Sequence, residues 1–148
     1  MNNKAALVML LIVIIAGVAM AQENRVSNAS LAVGSVRSIN TAQKYYAEHH
    51  PDRGYACDLT ALGPPPSGQK ESPDHAGLLT AELTNAESKA GYRFSLQCTD
   101  KSGPQRTYLV EAVPITGKGK AVCSDQTGVI KVSEDGDAKM CRTNGTPL

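Results

Sequence analysis

Ala29-Ser30-Leu31-Ala32-Val33-Gly34-Ser35-Val36-Arg37-Ser38-Ile39-Asn40-Thr41-Ala42-Gln43-Lys44-Tyr45-Tyr46 sets the architecture. Ala29, Ala32, Val33, Val36, Ile39, Ala42 and Tyr46 recur at steps of three and four, so one face of a helix is apolar. Ser30, Arg37, Thr41, Lys44 and Glu48 fall on the other side. The expected packing face is Ala32, Val33, Val36, Ile39, Ala42 and Tyr46, small side chains that a partner surface approaches closely. Extended outward, the pattern predicts one helix over Gln22–His50. Pro51 stops it, because the residue before a proline is pushed out of the helical region, and Asp52-Arg53-Gly54 turns the chain. Gly34 weakens the helix interior by about 1 kcal/mol relative to Ala.

Tyr55–Leu62 reads as a short link holding Cys57, Leu59 and Leu62, and the proline run from Gly63 to Gln69 as a surface loop. Asp74 or Ser72 is expected to cap a short helix through Leu83 that buries Leu78, Leu79 and Leu83. Beyond Gly91 the period becomes two. Tyr92, Phe94, Leu96 and Cys98 alternate with Arg93, Ser95 and Gln97; Tyr108, Val110 and Ala112 alternate with Thr107, Leu109 and Glu111. Lys120–Ser124 and Val129–Val132 are a third and a fourth strand around the turn Asp125-Gln126-Thr127-Gly128. Asp135-Gly136-Asp137 is a further turn, followed by a tail. The predicted class is α+β, a long N-terminal α-helix packed on a four-stranded antiparallel β-sheet.

The first residues carry a different signal. Lys4 precedes a run from Ala5 to Ala21 without a polar side chain, closed by Ala19-Met20-Ala21 and then by the polar Gln22-Glu23-Asn24-Arg25. A basic start, an apolar stretch and small residues at the end describe a secretory signal peptide over residues 1–21. The alternative is an anchor in the inner membrane by residues 5–21, a run at the lower limit of about 17 residues for a spanning helix. Both place a single domain, residues 22–148, in the periplasm or outside the cell, and both make the four cysteines, Cys57, Cys98, Cys123 and Cys141, candidates for two disulfides.

Composition excludes more than it assigns. With 148 residues, 15 basic and 14 acidic groups, a net charge of +1, one Phe and no Trp, this is one domain with a small aliphatic core. It has no electrostatic footprint for nucleic acid, so none is expected as a partner, although Tyr45-Tyr46 beside Lys44 and Arg37 is a stacking candidate. The competing reading puts one Tyr in the core and one at its rim. No Cys-x-x-Cys, Gly-x-Ser-x-Gly, His-Glu-x-x-His or phosphate loop occurs. His49-His50-Pro51-Asp52 contains ligand types, but consecutive His on a helix end diverge by about 100° and instead suit the helix dipole. His75 beside Asp74 is read as a surface residue. Asp135-Gly136-Asp137 lacks the spaced acids of a calcium loop. No catalytic residue, metal or cofactor is expected, and the chain reads as a non-enzyme.

Ala32–Gln43 resembles the second half of the long helix of bacterial type IV pilins, in a subgroup of short pilin-like proteins. Gly54-Tyr55, Leu59-x-x-Leu62-Gly63, Gly91-Tyr92-Arg93-Phe94 and Ser124–Ile130 resemble that subgroup in the same order. The resemblance covers residues 28–148 and implies a helix spine on an antiparallel sheet, with filament assembly through the spine. The leader departs from the family: it has no Gly-Phe-type cleavage site, and no acidic residue precedes Glu23. The expected function is thus an exported, pilin-like structural or interaction role at the cell envelope, with other pilin-like subunits or envelope proteins as partners. The alternatives are an atypical minor pilin or pseudopilin of a type IV pilus or type II secretion system, and a small secreted enzyme or enzyme inhibitor. Four cysteines allow three pairings. Cys57–Cys98 and Cys123–Cys141 are expected as local staples, the first pinning the link after the helix to the first strand and the second pinning the tail to the third. The resemblance points the same way for the second pair.

Overall fold

A computed structural model describes residues 28–84, 88–100 and 102–148. The export signal, or anchor, and the first turns of the expected helix lie outside the described residues. Helix α1 occupies residues 28–49. It ends two residues before Pro51, with the His50 amide closing on the Tyr46 carbonyl at 2.9 Å. Its buried face holds Ala29, Ala32, Val36, Ile39, Ala42 and Tyr46, each at most 9% exposed. Val33, expected on that face, is only half-buried, packed at the margin of the core. The centre of the face lies between Val36, Ile39 and Gln43, which turns Val33 toward the flank at 100° per residue.

The face covers a five-stranded antiparallel sheet in sequential order, β1 Tyr92–Cys98, β2 Tyr108–Pro114, β3 Ala121–Asp125, β4 Lys131–Ser133 and β5 Thr146–Pro147. Tyr92, Leu96, Tyr108, Val110, Ala112, Val122, Ile130 and Val132 meet the helix stripe in one cluster. The alternation read from β1 and β2 therefore does place their apolar sets against α1. The expected four strands become five because Thr146 pairs with Val132 at the end of the tail. The fourth strand starts later than expected, at Lys131, because the turn through Gly128 leaves Val129 outside the ladder and 45% exposed.

β3 breaks the alternation. Ala121, Val122, Cys123 and Ser124 are all buried. Val122 and Ser124 face α1, whereas Ala121 and Cys123 form a second small cluster with Cys141 on the opposite face. The cover there is helix α4, Ala138–Asn144. The tail, to which the sequence assigns no element, is thus a helix and a strand. Asp137 caps α4 by accepting from the Met140 amide at 3.0 Å, and Gly145 ends it, its amide reaching the Cys141 carbonyl at 3.0 Å. A side chain at Gly145 would meet that carbonyl at 2.3 Å.

Between α1 and β1 the chain makes two single-turn helices, α2 Leu59–Leu62 and α3 Ala81–Thr84. The expected helix from Asp74 or Ser72 is therefore only its last turn. Ser72 and His75 exchange backbone hydrogen bonds in a tight turn, and Gly77 at φ 67° leaves the helical region. Leu79 and Leu83 are buried as expected, while Leu78 is half-buried against the core. Gly54 fixes the entry to this region: it bridges Gln105, and a Cβ there would lie 2.1 Å from the Gln105 carbonyl oxygen.

Candidate functional site

The described residues concentrate their unusual chemistry along α1. Gln43 is fully buried and behaves as a strand edge in miniature. Its Nε2 donates to the Ala56 carbonyl at 2.7 Å and its Oε1 accepts the Ala56 amide at 2.9 Å. One turn earlier Asn40 faces the sheet. Its Nδ2 donates to Ser124 Oγ at 2.8 Å and its Oδ1 accepts the Tyr108 hydroxyl at 3.0 Å, while Ser124 Oγ passes a hydrogen bond to the Val129 carbonyl. Burial pushes the Tyr108 hydroxyl well above its ordinary range, helped by Tyr55 and the Asp125 carboxylate. It therefore stays protonated as a donor. Neither amide stands out in a hydropathy reading. The available signal was position: Gln43 lies four residues after Ile39 and three before Tyr46.

The structure joins Cys57 to Cys98 and Cys123 to Cys141, with Cα separations of 4.8 and 6.0 Å. No cysteine is free. Two disulfides fit an oxidising compartment, such as the periplasm or the cell exterior.

The aromatic and histidine candidates separate. Tyr46 is buried, its hydroxyl donating to the Pro73 carbonyl at 2.6 Å, and burial raises its pKa. Tyr45 is half exposed and stacks on His49 at 3.8 Å between ring centroids. His49 Nδ1 bonds the Tyr45 carbonyl, and His50 tilts against Tyr46. Asp74 pairs with Arg53 at 2.7 Å. The Nδ1 atom of the adjacent His75 is buried without a hydrogen-bond partner among the described residues. No group of three or more His, Cys, Asp or Glu among the described residues is arranged to hold a metal ion. In the turn Asp135-Gly136-Asp137, Asp135 accepts from Ser133 Oγ and the Asp137 amide, and both bonds hold its carboxyl below the usual range. These acids organise a turn and a helix cap.

Two open depressions follow the flank of α1. One of about 540 Å³ lies over Val33, Val122, Val132 and Leu148; one of about 220 Å³ lies over Lys44, Gln126 and Ile130. Arg37 borders both. Among the described residues no helix is long and apolar enough to cross a membrane. Comparison of the chain with models of known families, with curated proteins and with solved structures finds no match.

Proposed function

We propose that the chain is an exported, pilin-like, non-enzymatic protein with a structural or interaction role at the cell envelope. The observation that carries this reading is the placement of one long helix, residues 28–49, across an antiparallel sheet, with two disulfides, in a chain whose sequence carries the apolar run Ala5–Ala21 before that helix. Such a domain is a rigid body on a spine. The buried amides of Gln43 and Asn40 join the spine to the two flanking segments.

Intact-mass analysis of protein from the native envelope or medium tests the reading. The expected product starts at Gln22 and carries no free thiol. A full-length cytosolic pool would refute export.

The second reading, an atypical minor pilin or pseudopilin, is favoured by the outer side of α1. Leu31 is 53% exposed there, and a Cβ built on Gly34 meets nothing within 4 Å, leaving room for a neighbouring helix. Under this reading residues 5–21 are retained and the chain is found in purified envelope filaments; filaments without it count against the reading.

A further inference from the structure

We propose that the flank of α1 over β3 and β4 binds a single-chain lipid with a phosphate head group. Ala29, Val33 and Arg37 succeed one another at steps of four, and Lys44 continues that flank toward the helix C-terminus. Opposite them, Gly128 and Ile130 precede Val132 of β4 at steps of two, and Val122 pairs with Val132 in register. The two depressions meet at Arg37 and differ in character, and together they form the proposed trough. Its wide end has a floor of Val122 and Val132 and walls of Val33 and Leu148, the last 71% exposed. Its narrow end is bordered by Arg37, Lys44 and Gln126.

Charge fixes the polarity of the occupant. Neither Arg37 nor Lys44 takes part in an ion pair among the described residues, whereas Lys120 at the wide end is neutralised by Glu134 at 2.9 Å. An alkyl chain gains from the valine floor, and a phosphate gains charge-assisted hydrogen bonds from a guanidinium and an ammonium. A neutral chain leaves the two cations unused, and a free phosphate leaves the apolar end empty. This site is independent of whether the protein assembles into filaments.

The test is photolabelling of the full-length chain with a diazirine-bearing dodecyl phosphate below its micellar concentration. Adducts are expected on Val33, Val132 or Leu148, with competition by unlabelled dodecyl phosphate and none by inorganic phosphate or dodecanol at equal concentration. The pair Arg37→Glu and Lys44→Glu, both exposed, should lower labelling by at least about tenfold, consistent with the loss of two charge-assisted contacts. Lys139→Glu on α4 should label like the parent chain. Labelling confined to residues 5–21, adducts spread over the surface, or equal labelling of the charge-reversed pair would each overturn the proposal.

Discussion

The segment between α1 and β1 and the segment from β3 to the C-terminus are held by the same two devices, one amide from α1 and one disulfide each. Gln43 holds Ala56 in the first, and Asn40 holds Ser124 in the second. The disulfides differ in setting. Cys57 is exposed, whereas Cys123 and Cys141 are 2% and 0% exposed and form a cluster of their own. The first segment sends Ala56, Leu62, Leu79 and Leu83 into the main core, and its bond lies outside that core and restrains the chain that carries them. In the second the sulfur atoms are the core between β3 and α4. A cross-link of the same kind is thus mainly a tether in one place and mainly packing in the other.

The largest expected effects come from removing these bonds. The chain-entropy relation gives about 4 kcal/mol for the separation of 41 residues and about 3 kcal/mol for that of 18. Replacing both Cys123 and Cys141 by Ala also removes buried side-chain area, roughly 2 kcal/mol, for about 5 kcal/mol in all. The Cys57→Ala, Cys98→Ala pair should therefore be the milder one, near 4 kcal/mol, despite its longer loop. Denaturant midpoints decide the order, and a reversal would show that Cys123–Cys141 contributes no packing. Under a mild reductant the exposed Cys57 should open its bond first, by roughly tenfold in rate, because exchange requires access to a sulfur. Peptide mapping of the partly reduced protein reads this directly.

Next in size are the residues that carry the shared core. Ile39→Ala should destabilise by about 2–5 kcal/mol, and the exposed Arg37→Ala should be nearly silent. Equal, small effects would mean that α1 does not pack as described. The amides then separate the two segments. Gln43→Ala leaves the buried amide and carbonyl of Ala56 without partners, an expected loss of about 3 kcal/mol. Asn40→Ala orphans the Tyr108 hydroxyl, while Ser124 keeps its bond to Val129, for about 2 kcal/mol. Hydrogen exchange should speed up around 54–58 in the first variant and around 122–129 in the second. Exchange that rises uniformly in both would show that the segments do not open separately.

Legibility follows the same division. The apolar stripe of α1 and the alternation in β1 and β2 were visible because one face is buried and the other wet, so periodicity reports directly on contact. β3 hid its role, since a strand covered on both sides shows no alternation. The cover itself was overlooked because α4 is short and polar, with Cys141 as its one buried residue. Its start and stop signals were nonetheless present in Asp137 and Gly145. Gln43 and Asn40 were legible only as positions on the helix face, because what they do depends on the Ala56 backbone and on the Ser124 and Tyr108 hydroxyls brought to them by the tertiary fold. The trough was not legible at all. It arises from the register of β3 and β4 against the flank of α1, and no local pattern encodes it.

The smallest effect expected is acid sensitivity, and it too distinguishes the segments. Asp100 lies in the β1–β2 connection, beside the Gln105 backbone that receives Gly54, and so belongs with the first segment. It accepts from the amides of Arg106 and Thr107 at 2.7 and 2.8 Å and from Thr107 Oγ1 at 2.9 Å, which holds its carboxyl below the ordinary range. Asp135, in the second segment, accepts from Ser133 Oγ and one amide. Both pKa values are lower in the folded chain than the unfolded value of about 3.9. The sign follows: more protons bind the unfolded state, so each carboxylate stabilises the fold above about pH 3.9 and loses that contribution as pH falls toward its folded value. Asp100→Asn should therefore be less stable than the parent chain at neutral pH, with the gap closing as pH falls below about 3.9. Asp135→Asn should show the same closure with a smaller gap, since its carboxylate gathers fewer donors. Thermal midpoints across that pH range measure both. A gap that persists unchanged at low pH would mean that the hydrogen bonds to Asp100 do not depend on its charge.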